Sequence, residues 1–267
     1  MAENRLEGRR AVVTGAARGI GRACATRLAE LGADVAVLDL DLRGGERYEH
    51  EPDGLTVDTI EGLGRRALGI EVDLADEAAA HAAIGQVVDA WGGVDVLVNV
   101  AGGAVTPYER SRPTATPTSD VQRIFALNFL TMVHCCQAAA PSMRASGAGV
   151  IVNVSSTAAF TVFPDGSNAA YASVKAAVSH FTRHLAAELG PDGIRVNAFA
   201  PGITLTGRII EESSSTGYSS REAEVPLRRL GRPEDCADVL EFLVSDLSGF
   251  VTGRVVPVDG GWILGAS

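Results

Sequence analysis

The segment Ala11-Val-Val-Thr-Gly-Ala-Ala-Arg-Gly-Ile-Gly21 carries a short apolar strand, Ala11–Val13, straight into a glycine-rich turn. An amphipathic helix follows, with Ala23, Cys24, Leu28 and Leu31 on its apolar side, and it stops at Gly32, a natural residue for a helix C-terminus. A second apolar strand, Val35-Ala-Val-Leu38, then ends in Asp39, eighteen residues beyond Gly21. Strand, glycine turn, helix, strand and acid is the layout of a dinucleotide-binding βαβ unit. Glycines let the main chain approach a pyrophosphate, and the helix N-terminus offers it free N–H groups and a partial positive charge. The spacing is Gly-x-x-x-Gly-x-Gly rather than the common Gly-x-Gly-x-x-Gly, so the placement in the unit carries more weight than the glycines alone.

Asp39 bears on the choice of dinucleotide. A carboxylate at the end of this strand accepts hydrogen bonds from ribose hydroxyls and repels a 2′-phosphate. Leu40 and Asp41 follow, with no basic residue at once. NAD is therefore expected over NADP.

Strands and helices alternate through the rest of the chain. Leu42 to Val57 is polar and glycine-rich and reads as a surface loop or insertion before a helix at about Val57–Leu63. Strands are expected at Ala67–Val72, Val94–Val98, Gly149–Val154, Arg195–Phe199 and Val255–Val258. Helices are expected at Glu77–Trp91, Val121–Ala140, from near Tyr171 to Leu189, and at Pro233–Leu243. Such alternation implies a parallel sheet covered on both faces, with ligands at the carboxyl ends of its strands. Two stretches are too polar or broken to be regular elements. One is Gly103–Asp120, either a cleft lining or an exposed loop. The other is Ile203–Val225, read as a mobile lid. Asn128 in a helix interior is a poor helix former and invites a reason.

Tyr171-Ala-Ser-Val-Lys175 begins a helix after the irregular Phe163–Asn168. Positions four apart share a helix face, so Tyr171 and Lys175 project together. An ammonium beside a phenol favours the phenolate and lowers its pKa, which makes the pair a proton-transfer device. A packed Tyr beside a solvated Lys is the plainer alternative.

At 267 residues, 46% hydrophobic and 21% charged, the chain suits one large domain with a buried core. A net charge of −10 argues against nucleic acid or an anionic membrane as partner. No apolar run is read as long enough to span a bilayer, and Met1–Arg10 lacks the apolar core of a signal peptide, so a cytoplasmic protein is expected. None of the four cysteines forms a CxxC pair, and Cys24, Cys135 and Cys136 fall in apolar helical patterns as reduced core thiols. His180 and His184 have metal-ligand spacing but no evident third ligand, so no metal site is expected.

The chain resembles the short-chain dehydrogenase/reductase family over essentially its whole length. The matching residues are Thr14-Gly15-x-x-x-Gly19-x-Gly21, Asp73, Asn99-x-Ala101-Gly102, Asn128, Asn153-Val-Ser-Ser156, Tyr171-x-x-x-Lys175 and Pro201-Gly202. The resemblance implies a single-domain Rossmann α/β fold over residues 1–267, with a doubly wound seven-stranded parallel sheet and helices on both faces. Substrate loops would fall at about 103–120 and 203–225, and the assembly would be a homotetramer or, less often, a dimer. The implied catalytic residues are Asn128, Ser156, Tyr171 and Lys175. Tyr171 would be the general acid/base and Ser156 the hydrogen-bond donor to the substrate oxygen. Lys175 would hold the nicotinamide ribose and lower the Tyr171 pKa, and Asn128 would anchor a water in the relay to Lys175. The implied cofactor contacts are Gly15, Arg18, Gly19, Ile20, Gly21, Asp39, Asp73, Leu74, Asn99, Ala101, Gly102, Tyr171, Lys175, Pro201, Gly202, Ile203 and Thr204. Val100 stands where the family often has a second Asn, and fifteen residues separate Ser156 from Tyr171, somewhat more than usual. Residues 43–55 look like an insertion similar to that of members resembling carveol dehydrogenase, where it lies against the cofactor.

The expected activity is NAD-dependent hydride transfer between a secondary alcohol or ketone and the nicotinamide. A cyclic alcohol or dihydrodiol, or a hydroxysteroid, would be candidate substrates. An NADP-dependent 3-oxoacyl thioester reductase is the alternative within this chemistry. A non-catalytic dinucleotide sensor is the alternative outside it.

Overall fold

Continuous apolar strands with both faces covered are what an all-parallel sheet demands, and the computed structural model has this arrangement. It describes residues 6–216 and 218–263, and the side chains of these except 212–220. Met1–Arg5, part of the stretch read as lacking a signal core, and Gly217, within the expected lid, lie outside the described residues. The strands are β1 (Arg10–Thr14), β2 (Asp34–Asp39), β3 (Ala67–Glu71), β4 (Val96–Asn99), β5 (Gly149–Val154), β6 (Ile194–Pro201) and β7 (Val255–Val258). All neighbours pair in parallel, in the order β3-β2-β1-β4-β5-β6-β7. The order reverses between β1 and β4, so their carboxyl ends open the crevice where ligands bind in such sheets.

The helices divide between the two faces. On one side α1 (Gly19–Glu30) and α8 (Pro233–Val244) pack together over Val13, Val35, Val98 and Phe199. On the other, α3 (Glu77–Trp91), α5 (Thr131–Ser146) and α6 (Ala169–Leu189) cover Val12, Leu97, Ile151 and Val196. Full burial of each such aliphatic side chain contributes about 1.5–3 kcal/mol. Below the sheet, opposite the crevice, Arg10 grips Asp95 through Nε and Nη2 at 2.7 and 2.9 Å. Burial alone would raise the Asp95 pKa, but these hydrogen bonds hold it below its usual value.

The expected helices at Glu77–Trp91 and the strand at Gly149–Val154 stand as read. α2 spans Thr56–Gly62, one residue earlier than expected. Three differences have physical causes. The helix expected over Val121–Ala140 starts at α4 (Thr118–Phe125), passes through a π-turn at Ala126–Leu130, and continues through Pro141 to Ser146. This continuous stretch, Thr118–Ser146, is long and apolar enough to cross a membrane by length and composition, contrary to the sequence reading. Half of its most apolar window is buried against the protein core. The expected lid, Ile203–Val225, is not all loop: α7 (Gly207–Thr216) and a short 3-10 segment, Tyr218–Glu224, occupy it. Its serines mask a helix that begins where Ile209 N–H meets the Thr206 hydroxyl. The 42–57 insertion is anchored rather than free, with a 3-10 turn at Gly44–Arg47 and Thr56 donating its hydroxyl to Ala16 O at 2.8 Å.

Candidate active site

At the carboxyl end of β1 the chain must reverse into α1 while β4 ends alongside. Gly15 takes φ +63°, and a Cβ there would stand 2.8 Å from Ala101 Cα, so only glycine fits between the two turns. Thr14 locks them: its hydroxyl oxygen accepts from Val100 N and Ala101 N, both at 3.1 Å. This tie was not read from sequence as functional, although Thr14 belongs to the motif. Gly21 sits so close to Gly15 O that a Cβ would lie 2.0 Å from it. Main chain thus packs closely on Gly15 and Gly21 at the start of α1, and a helix N-terminus of this kind suits an anion.

Asp39 closes the outer side of the crevice. Its carboxylate accepts from Ala17 N at 3.0 Å. Burial raises its pKa, while the main-chain donors and the nearby Arg18 charge pull it down. Arg18 itself stacks over Tyr48 of the insertion, 4.6 Å from the ring centroid. Asp73 folds into its own turn, accepting from Ala75 N at 2.9 Å, and Leu74 is buried with its carbonyl 3.0 Å from His134 Nδ1.

Two expected contacts turn inward. Asn99 donates to Asn153 Oδ1 at 2.9 Å and to Cys136 Sγ at 3.3 Å, and Asn153 donates to Thr182. Its side chain thus stitches β4 to β5 and α5. Thr204 is likewise buried, and the chain around it is held to Gly231 through Gly231 N to Ile203 O and Leu205 N to Gly231 O. Pro201 ends β6, and Gly202 N donates to Val258 O at 2.9 Å.

The residues expected to handle the proton come from three elements. Lys175, one turn beyond Tyr171 in α6, is buried and donates Nζ to Val154 O at 2.8 Å. Loss of water lowers its pKa from 10.5 to about 8. Tyr171, half-buried on the same face, has its ring centroid 5.8 Å from that Nζ. Of the serine pair, Ser155 is buried with its hydroxyl bound to Ser179 Oγ and Lys175 O, whereas Ser156 is half-buried and only accepts from Ala158 N at 3.2 Å among the bonds described. Ser156 is therefore the one whose hydroxyl hydrogen can turn to a ligand. Asn128 explains itself within the π-turn: Oδ1 accepts from Gly103 N at 2.9 Å, and Nδ2 donates to Gly103 O and Ile124 O. Its amide is a clamp on the loop that follows β4.

That loop is partly buried and partly exposed. Ala104, Thr106, Ser111 and Ile124 share a small pocket with Ala170 and Tyr171. Tyr108, Arg110 and Arg112 instead stay exposed, the arginines 3.3 Å from Asp120 and 3.7 Å from Asp165. Ser111 also caps α6 from outside, its hydroxyl accepting from Asn168 N and its carbonyl from Ala169 N.

All four cysteines are free and buried, and burial raises each thiol pKa. His180 and His184 meet edge to face, and among the described residues no group of three ligands forms a metal site.

A family model described as enoyl-(acyl carrier protein) reductase matches residues 15–263. Cyclohexanol dehydrogenase of Rhodococcus sp. (strain TK6) is 45% identical over 96% of this chain and 96% of its own length. The 7alpha-hydroxysteroid dehydrogenase of Escherichia coli (strain K12) is 35% identical over 97% and 96%. A crystal structure of a 7α-hydroxysteroid dehydrogenase with NADH and 7-oxo glycochenodeoxycholic acid superposes with TM-score 0.86 at 35% identity, covering 97% of this chain and 96% of that one.

Proposed function

The chain belongs to the short-chain dehydrogenase/reductase family and is an oxidoreductase of alcohol and ketone groups, and from that premise we propose that it interconverts a cyclic secondary alcohol and its ketone with NAD, using Tyr171 as general acid/base. The observation that carries the reading is the pairing of a half-buried phenol with a buried ammonium on one face of α6. With its pKa at about 8, Lys175 is mostly charged at neutral pH and favours the phenolate.

The crevice fits a dinucleotide: it combines the α1 N-terminus, glycines where a Cβ would strike main chain, and a strand-end carboxylate. Ile20 and Gly21 with Arg18 would hold the pyrophosphate side, Gly15 and Gly19 letting the chain approach it closely while the Gly19 N–H stays on Glu51, with Asp39 at the adenosine ribose and Asp73 and Leu74 at the base. The Asn99–Gly102 turn, Lys175 and the Pro201–Thr204 segment would hold the nicotinamide half. When bound, the dinucleotide supplies the hydride acceptor for oxidation. Tyr171 then takes the proton from the substrate hydroxyl while the Ser156 hydroxyl donates to the same oxygen and stabilises its developing charge. Because the Asn128 amide is committed to Gly103, a water relay at this position would run through its main chain.

Asp39 supports NAD over NADP, since a 2′-phosphate beside it meets a like charge. The cyclic substrate is supported by the similarity to a cyclohexanol dehydrogenase and by the small pocket beside Tyr171. The intact set of proton-handling side chains speaks against a sensor without turnover. A cytoplasmic location is supported by four unpaired buried cysteines. A homotetramer, with a dimer as the smaller possibility, is supported by an apolar groove between α4 and α6 around Val121, Phe125, Val174 and Ala177. Steady-state oxidation of cyclohexanol with NAD and with NADP tests the reading. Turnover with NAD at higher kcat/KM is expected; a preference for NADP, or turnover confined to thioesters, would overturn it.

A further inference from the structure

Glu51 lies in the 43–55 insertion, half-buried, and no step above uses it. Its Oε2 accepts from Gly19 N at 2.9 Å, at the first residue of α1. Its Oε1 accepts from Gly207 N at 3.0 Å, at the first residue of α7. One carboxylate therefore joins the N-termini of the dinucleotide-facing helix and of the lid helix, where two partial positive charges favour it. The approach is tight. A Cβ on Gly207 would lie 2.7 Å from Tyr48 Cβ and 2.9 Å from Glu51 Cγ, and Thr206 Cγ2 stands 3.0 Å from where a Gly19 Cβ would be.

The insertion is fastened from its other side as well. Arg22 of α1 donates to Pro52 O, Asp53 O and Gly54 O at 2.9, 3.0 and 2.8 Å. Tyr48 lies beneath the Arg18 guanidinium. These contacts fix the insertion to the glycine turn, so Glu51 is the link from that fixed body to α7.

We infer that Glu51 is a positioning residue that holds α7 over the glycine turn and so sets how long a dinucleotide stays bound. The inference rests on the dinucleotide reading above. A ligand seated on the N–H groups of α1 has the start of α7 beside it, and its departure is eased when the Glu51 contacts part. A carboxylate in this place also repels a pyrophosphate, which would predict the opposite effect on residence. The geometry favours the link, because both oxygens are already engaged by main-chain donors of the two helices.

The test compares wild type, Glu51→Ala and Glu51→Gln by stopped-flow displacement of NADH with excess NAD, and by amide hydrogen exchange of residues 207–211 without dinucleotide. Loss of charge-assisted hydrogen bonds of this kind should speed NADH release about tenfold in the Ala variant. The Gln variant, which keeps one acceptor, should fall between, and the 207–211 amides should exchange faster in both. Release that is unchanged or slower in Glu51→Ala overturns the inference, slower release marking Glu51 as a competitor of the pyrophosphate. If wild type holds no NADH, the dinucleotide reading falls first, and unchanged exchange of the 207–211 amides then overturns the link on its own.

Discussion

Lys175 shows how burial converts a common residue into a tuned one. Its ammonium has one main-chain acceptor, Val154 O, and little water, so its pKa falls to about 8. In the unfolded chain it returns to about its ordinary 10.5. The unfolded state then binds more protons than the folded state between pH 8 and 10.5, so this residue makes stability rise with pH across that window. Urea midpoints of wild type should climb from pH 8 to 10.5 relative to those of Lys175→Met, which lacks the titration. Parallel midpoint curves would contradict the assignment. Asp39 gives a second prediction at this scale. Asp39→Ser removes acceptors for the ribose hydroxyls and the charge that repels a 2′-phosphate, interactions worth about 1.5–3 kcal/mol for a charged hydrogen bond. The ratio of kcat/KM with NAD to that with NADP should fall at least about tenfold, measured with one alcohol; an unchanged ratio would place the ribose elsewhere. Tyr171, Lys175 and Asp39 were legible in the sequence because periodicity and strand ends fix their positions. Ser156 came from the family resemblance, and the hydrogen bonds that consume the Ser155 hydroxyl agree with it; the inward turn of Asn99 was not legible, since it depends on which neighbours consume its amide.

Elements carry the site by holding loops at fixed distances. The π-turn in the α4–α5 helix exists where Asn128 spends its amide on Gly103 instead of leaving the helix regular. Asn128→Ala leaves buried main-chain groups unpaired at about 1–3 kcal/mol each, so thermal unfolding should shift down by several degrees and alcohol turnover should fall with it. A variant with wild-type Tm and turnover would show that the clamp is dispensable. Thr14→Val keeps shape and loses the acceptor for Val100 and Ala101 N–H. It should raise the NAD KM more than it lowers kcat, and an unchanged KM would show that the turn holds without Thr14. The strand–helix alternation was readable because each apolar period matches its element. α7 was not readable, because serines favour turns locally and its start is set by Thr206 and by packing against Glu51 and Tyr48. Glu51 left no sequence signal beyond lying in a polar insertion.

For the whole molecule, the apolar groove between α4 and α6 is a feature that bears on assembly. Val121 and Phe125 are each 39% exposed beside the α4–α6 groove, as expected of a face that a second copy covers. Light scattering should give a mass four times that of the 27.7 kDa chain, and Val121→Glu/Phe125→Glu should reduce it. A wild-type monomer at micromolar concentration would contradict the assembly. The parallel sheet follows from the βαβ start and the alternation after it, and its seven strands from the family resemblance, while the strand order and the crevice between β1 and β4 are seen in the structure; the assembly has no comparable sequence signature, because a helix face apolar enough to pack on a core and one apolar enough to pack on a partner look alike.

In the proposed reaction the Tyr171 hydroxyl moves the substrate proton. The most direct measurement compares Tyr171→Phe with wild type in cyclohexanol oxidation by NAD, with NADH binding followed by fluorescence on the same samples. NADH affinity should stay within about twofold of wild type and kcat should fall about 10²–10⁴-fold, the range for loss of a positioned general base. Turnover retained in Tyr171→Phe with NADH bound would contradict this role of Tyr171.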